Sequence, residues 1–260
     1  MKLLVTNIAF LAGIQPTNKL RLEGKEMARL ETIANAFLYV EDGRIHSYGA
    51  MSDLAKCNLP SDVQQIDAKG GSVLPSWCDS HTHIVFAGSR EQEFVDKIRG
   101  LSYAEIAKRG GGILNSADKL HDMSEDELYQ QAMRRVDEVI RKGTGCIEIK
   151  SGYGLNTADE LKMLRVIKRI KETTPLKVVA TFLGAHAVSR EYAGRQSEYV
   201  DLVIREMIPA VAKENLAEYI DVFCDTGFFT PEETARILEA GAKYSMRGKI
   251  HADELASSGG

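Results

Sequence analysis

The run Val73-Leu74-Pro75-Ser76-Trp77-Cys78-Asp79-Ser80-His81-Thr82-His83 decides the fold. An apolar stretch of strand length ends in two imidazoles separated by one residue. Alternate residues of a strand point to the same side, so both rings face one spot at its C-terminal end, with attachment points roughly 7 Å apart. From there two side chains can converge on a single metal ion at about 2.0–2.1 Å per nitrogen. Taken alone, a His-x-His pair reads equally well as two structural histidines. The strand before it and a third histidine far downstream separate the two readings.

Working outward, residues 1–70 read as a β-rich segment. Residues 2–8 form a short apolar run, and 36–40 and 44–47 flank Asp42-Gly43, a hairpin signal because both residues tolerate positive φ. From Ser72 the rhythm changes. Apolar runs of strand length recur at 73–78, 145–150, 177–183, 219–224 and 249–251, with helical patterns between them. Several of these helices carry a capping-box spacing: Ser102 with Glu105, Ser124 with Glu127, Thr157 with Glu160, and Thr230 with Glu233. Leu161, Leu164, Val166, Ile167 and Ile170 make an apolar helix face, with Lys162, Arg165, Lys168 and Arg169 on the solvated side. Met123, Met133, Met163, Met207 and Met246 read as core filler. Strands alternating with helices imply right-handed crossovers and a parallel sheet. A doubly wound open sheet and a (β/α)8 barrel share that pattern.

The placement of polar residues favours the barrel. Each strand runs into polar residues at its C-terminal end: His81 and His83, then Ser151-Gly152-Tyr153-Gly154, then His186, then Asp225, then His251-Ala252-Asp253-Glu254. In a parallel barrel these ends open on one face, where barrel enzymes keep their active sites. His251 is the natural third metal ligand, whereas His46 and His121 lie in a hairpin arm and a polar loop and read as structural or solvated. Three imidazoles with an open coordination position would lower the pKa of a metal-bound water toward ~7. Glu254 is placed to take or pass its proton. The segment 84–115 is long for a strand-to-helix connection and carries Arg90, Tyr103 and Gly110-Gly111-Gly112. A guanidinium just past the ligands suits a substrate carboxylate. The glycine triplet lacks a following Lys-Ser/Thr and reads as a turned or mobile loop.

Composition narrows the class. A net charge of −4 with 27% charged residues gives no basic footprint for nucleic acid. No apolar stretch approaches membrane-spanning length, and the amino terminus lacks signal-peptide architecture, so a cytoplasmic location without membrane or nucleic-acid partners is expected. Cys57, Cys78, Cys146 and Cys224 stand far apart in sequence and read as buried, reduced thiols.

Five blocks, in order, carry a family resemblance: HTHIVFAGSR at 81–90, EIKSGYGL at 148–155, TFLGAH at 181–186, DVFC at 221–224 and KIHADE at 249–254. They resemble the amidohydrolase superfamily and, within it, the imidazolonepropionase family of histidine degradation. The resemblance implies a (β/α)8 TIM barrel with a small N-terminal β-rich domain (1–70), the barrel portion being 71–260. It implies His81, His83 and His251 as ligands of one zinc or iron ion, and Arg90 on the propionate carboxylate. Tyr153 and His186 would contact the imidazolone ring, with Tyr103 a further candidate. Glu254 would sit beside the metal-bound water and the substrate. The implied reaction is hydrolysis of the cyclic amide of 4-imidazolone-5-propanoate to N-formimidoyl-L-glutamate, the metal and His186 stabilising the developing oxyanion. A homodimer is the implied assembly.

Two departures stand out. Trp77 follows Pro75-Ser76 where relatives have a small-residue turn, a matter of packing. More important, the family's members continue beyond Gly260 with a further histidine, a metal-ligating aspartate and the last barrel strands. The expectation is therefore about five of eight strands, in a fragment or a short gene product. Made alone, such a chain is expected to be poorly soluble or loosely folded, with little or no hydrolase activity, which would belong to the longer protein. Two alternatives stay open: another cyclic amidohydrolase, hydantoinase-like or dihydroorotase-like, and a non-catalytic metal-binding fragment. Against the first, the fourth strand ends Val222-Phe223-Cys224-Asp225, without the lysine that binuclear sites use.

Overall fold

A computed structural model of the chain describes residues 1–15, 19–102, 105–106 and 111–260; Tyr103 and Gly110 lie outside the described residues. The chain divides into two compact units, Met1–Ser76 and Trp77–Gly260.

The first unit is one sheet. Strands β1 (Lys2–Ala12), β2 (Thr32–Glu41), β3 (Arg44–Ala50) and β4 (Gln64–Asp67) lie in the order β3-β2-β1-β4, and β5 (Ser72–Val73) also pairs with β1. The β2–β3 hairpin turns through Asp42 and Gly43, both at positive φ (49° and 76°), the backbone that matches strand twist in a two-residue turn. A register shift between Val5 and Ile8, with Asn7 at φ 53°, switches the side on which β1 buries its apolar residues. Leu4 consequently packs with Phe37 and Tyr39, whereas Ile8 and Leu11 pack with Ala36.

The second unit holds five parallel strands in sequential order: β6 (Trp77–Thr82), β7 (Thr144–Lys150), β8 (Lys177–Ala185), β9 (Tyr219–Cys224) and β10 (Arg247–Ala252). The helices of this unit among the described residues are α1 (Glu91–Ile98), α2 (Ile113–His121), α3 (Glu125–Arg141), α4 (Thr157–Thr173), α5 (Gln196–Leu202), α6 (Ile208–Lys213) and α7 (Pro231–Ala242), of which α3, α4 and α7 pack against the strands. Leu128, Ala132 and Val136 of α3 and Met163, Leu164, Ile167 and Ile170 of α4 repeat at helical spacing and join Ile147, Ile149 and Phe182 in one continuous core. The capping boxes at Ser124–Glu127 and Thr230–Glu233 form as their spacing predicts, the second with Pro231 in the first turn. Each such cap is worth about 1 kcal/mol. Ser102 and Glu105 also exchange their bonds.

The sheet is curled, not flat. Its two outermost strands are β6 and β10, yet the Lys249 ammonium of β10 donates to the Ser80 carbonyl of β6 at 3.1 Å. This is a curled parallel β/α half-barrel, as the resemblance implies. Among the described residues no helix is long and apolar enough to cross a membrane.

Three details differ from the sequence reading. The apolar run at 73–78 is not one strand: Val73 pairs with Leu11 in the first sheet, and the next ladder begins at Trp77. Pro75, between them, has no N–H to give a ladder. Thr157 and Glu160 do not form a cap, because Asn156 occupies the N-cap and accepts from the Asp159 N–H at 2.9 Å. Of the four cysteines read as buried, Cys224 is buried, Cys57 and Cys146 are half-buried and Cys78 is exposed; Cys78 is the register partner of Cys146 on the neighbouring strand.

Candidate metal and substrate site

The site lies at the C-terminal ends of the second unit's strands. His81 is in β6 and His83 just beyond it, where a register shift between Asp79 and Thr82 breaks the plain alternation. His251 sits within β10, opposite Phe223. One possible ligand atom from each of these three histidines lies within 4.8 Å of the others. Ring centroids are 4.4 Å apart for His81 and His251, 5.4 Å for His81 and His83, and 5.6 Å for His83 and His251. Nδ1 of His83 and Nε2 of His251 are buried without a hydrogen-bond partner among the described residues, an arrangement whose desolvation cost a bound cation would offset. Burial, followed by the neighbouring His186, His251 and His81, pushes the His83 imidazole down to about 2, so the ring stays neutral and keeps the lone pair of one nitrogen open to a metal. Burial and His251 lower His81 as well. The donor set fits a borderline metal such as zinc.

Beside the cradle, a cavity of about 330 Å³ is lined by His81, His83, Arg90, Lys97, Tyr153, His186, His251 and Glu254, with Ile113, Phe223 and Leu255 as apolar wall. Every described residue that the sequence reading placed in the site therefore lines one cavity. His186, 6% exposed, lies parallel to His83 with centroids 5.2 Å apart and an interplanar angle of 15°. Its Nδ1 is 2.9 Å from the Gly152 carbonyl, which can only accept, so Nδ1 carries the hydrogen. Burial, against the opposing pull of that carbonyl, takes His186 down to about 3 and keeps it neutral, with Nε2 an acceptor. Gly152 adopts φ 114°, and a Cβ there would come within 2.9 Å of that same Nδ1. The close approach requires glycine.

Other side chains set the loops; the sequence reading gave Glu160 only a capping role and Asp225 only a place at a strand end. Glu160, fully buried, accepts the N–H groups of Gly152, Gly154 and Leu155 and so shapes the turn that carries Tyr153. Burial raises its carboxyl despite those bonds. Asp225 accepts from the N–H groups of Glu254 (2.8 Å), Leu255 (2.9 Å) and Thr226 (2.7 Å), which fixes the turn bearing Glu254. Beneath the cradle Glu148, Lys150 and Asp221 form a buried ionic cluster. The signal for these last residues was present: charged residues at alternate positions of strands that otherwise read as continuously apolar.

The whole chain aligns with part of known enzymes. It is 54% identical over 260 residues to the imidazolonepropionase of Christiangramia forsetii and 51% identical over 260 residues to that of Flavobacterium psychrophilum, in each case covering 100% of this chain and 62% of the other protein. The chain is similar to imidazolonepropionases along its whole length. It spans 62% of the length of these curated imidazolonepropionases. No family model matches the sequence. Among solved structures, guanine deaminase from E. coli superposes with a TM-score of 0.63 at 11% identity, covering 96% of this chain and 52% of that one. A 5-methylcytosine deaminase from Klebsiella pneumoniae gives 0.61 at 15% identity, covering 98% and 52%. At such identities the likeness concerns the fold alone. The imidazolonepropionase kinship disfavours the hydantoinase-like and dihydroorotase-like alternative.

Proposed function

We propose that these residues build the active site of an imidazolonepropionase, which opens the cyclic amide of 4-imidazolone-5-propanoate to give N-formimidoyl-L-glutamate in histidine degradation. The observation that carries the reading is the convergence of three histidines with Arg90, Tyr153, His186 and Glu254 around one cavity of about 330 Å³. His81, His83 and His251 would hold one zinc or iron ion. When bound, that ion supplies Lewis acidity toward a carbonyl and makes a water acidic near neutral pH.

The chain's own groups do the rest. Arg90, partly exposed at the cavity, pairs with the propionate carboxylate through its planar fork. Tyr153 packs against the imidazolone ring from the turn that Glu160 shapes. The Nδ1 bond of His186 to Gly152 leaves Nε2 an acceptor in the neutral ring, so we assign it to a ring N–H of the substrate instead of to a developing oxyanion. Glu254, on the turn fixed by Asp225, moves the proton between water and the leaving nitrogen. The same reading puts the enzyme in the cytoplasm, as a homodimer with a small-molecule substrate.

The test is a direct assay with imidazolone propionate of metal-replete protein, both this chain and a protein of the relatives' full length, with hydantoin and dihydroorotate beside it; the activity is expected of the longer protein. Product from the first substrate alone is expected. Preference for either of the others overturns the assignment.

A further inference from the structure

The third histidine of the cradle is held from behind. Asp221 Oδ2 accepts from His251 Nδ1 at 2.9 Å and from the Lys150 ammonium at 2.7 Å, while Oδ1 accepts the Val222 N–H at 2.8 Å. Lys150 also donates to Glu148 Oε1 at 2.7 Å, an oxygen that the Thr181 hydroxyl and the Lys249 ammonium (3.2 Å) share. The side chains of Lys150, Asp221 and Glu148 are 1%, 2% and 4% exposed. A lysine buried this deeply persists only when its charge is matched and its donors are met. The reaction proposed above uses none of these three groups.

The arrangement gives Lys150 a definite task. A carboxylate facing Nδ1 makes that nitrogen the donor and leaves Nε2, buried and unpartnered, as the nitrogen with a free lone pair. The carboxylate can hold the ring at one angle only if it is itself fixed, and Lys150 contacts the same oxygen that His251 does. We propose that Lys150 is a positioning residue for the metal cradle, acting through Asp221 to fix the ring orientation of His251 and thereby the site's affinity for a divalent cation. This rests on the reading of His81, His83 and His251 as a metal site. A plain structural role, in which Lys150 only neutralises two buried carboxylates, makes a different prediction.

The experiment is cobalt(II) titration of the metal-free protein, read by its visible absorption and by competition with a chelator. Thermal unfolding of each metal-free variant is measured in parallel. Lys150→Met is expected to weaken binding by about 10- to 100-fold and to alter the cobalt spectrum. The double variant Lys150→Met/Glu148→Gln keeps the net charge of the cluster, and serves where the single one does not fold; it should show the same loss. Asp221→Asn should also weaken binding, and adding Lys150→Met to it should change little more, since both act on one contact. Failure of the unmodified protein to take up cobalt would sink the metal-site reading itself. Normal uptake there, with a folded Lys150 variant of unchanged affinity and spectrum, overturns the inference. So does a loss that adds fully to that of Asp221→Asn.

Discussion

The imidazoles of His83 and His186 lie face to face, 5.2 Å between centroids and 15° from parallel. One belongs to the three-histidine group and the other to the proposed substrate wall, so the two halves of the site adjoin. A change that moves either ring is felt by both.

Metal content follows from the three-histidine group. Elemental analysis of metal-loaded protein should give about one equivalent of zinc or iron. His81→Ala and His251→Ala should each abolish tight binding. His121→Ala should not, because His121 lies outside the cradle, against Asp159.

Acid should destabilise the metal-free protein. His186 and His83 titrate in the folded state at about 3 and about 2, whereas in the unfolded chain they do so near the ordinary histidine value of 6.5. Between those limits the unfolded state binds more protons, so stability falls as pH drops below about 6.5. Each ring contributes up to about 2 kcal/mol between pH 7 and 5. Urea unfolding at the two pH values measures this. His186→Gln should remove about half of the histidine-dependent slope, and an unchanged slope would contradict the buried neutral state.

Arg90→Lys keeps the charge and loses the planar fork. Catalytic efficiency toward imidazolone propionate should fall tens-fold, corresponding to about 2 kcal/mol for a charged hydrogen bond. Steady-state kinetics decide it, and a variant with wild-type kinetics removes Arg90 from carboxylate recognition.

Asp225→Ala leaves the amides of Glu254, Leu255 and Thr226 without their acceptor. The expected result is normal metal content with reduced kcat, because the Glu254 turn loosens while the cradle stays intact. The stability loss should be about 1–3 kcal/mol, read by urea unfolding.

How far the sequence could be read depended on whether an interaction was local. His81 and His83 were visible because one short strand end carries both, and His251 because a further strand-like run ends at it. Asp221 and Lys150 were harder, since their contact joins positions 71 apart and no spacing rule reaches that far. Glu160 was misread for the opposite reason. Thr157-x-x-Glu160 fits a capping box locally, but Asn156 competes better for the cap, and the burial of Glu160 is a tertiary matter. At Pro75 the apolar run hid a change of sheet, since a single missing N–H leaves little trace in a hydropathy pattern.

The contact between the first and last strands of the curled sheet has a kinetic meaning. Lys249 reaches Ser80 across 169 residues of chain, and the histidines beside them are as distant in sequence. The contact depends on the four neighbour ladders between the two strands, each closing a shorter loop, which favours its formation late in folding. An ion bound by His81, His83 and His251 would then act as a clasp between these two strands, its escape rate tied to how often they part.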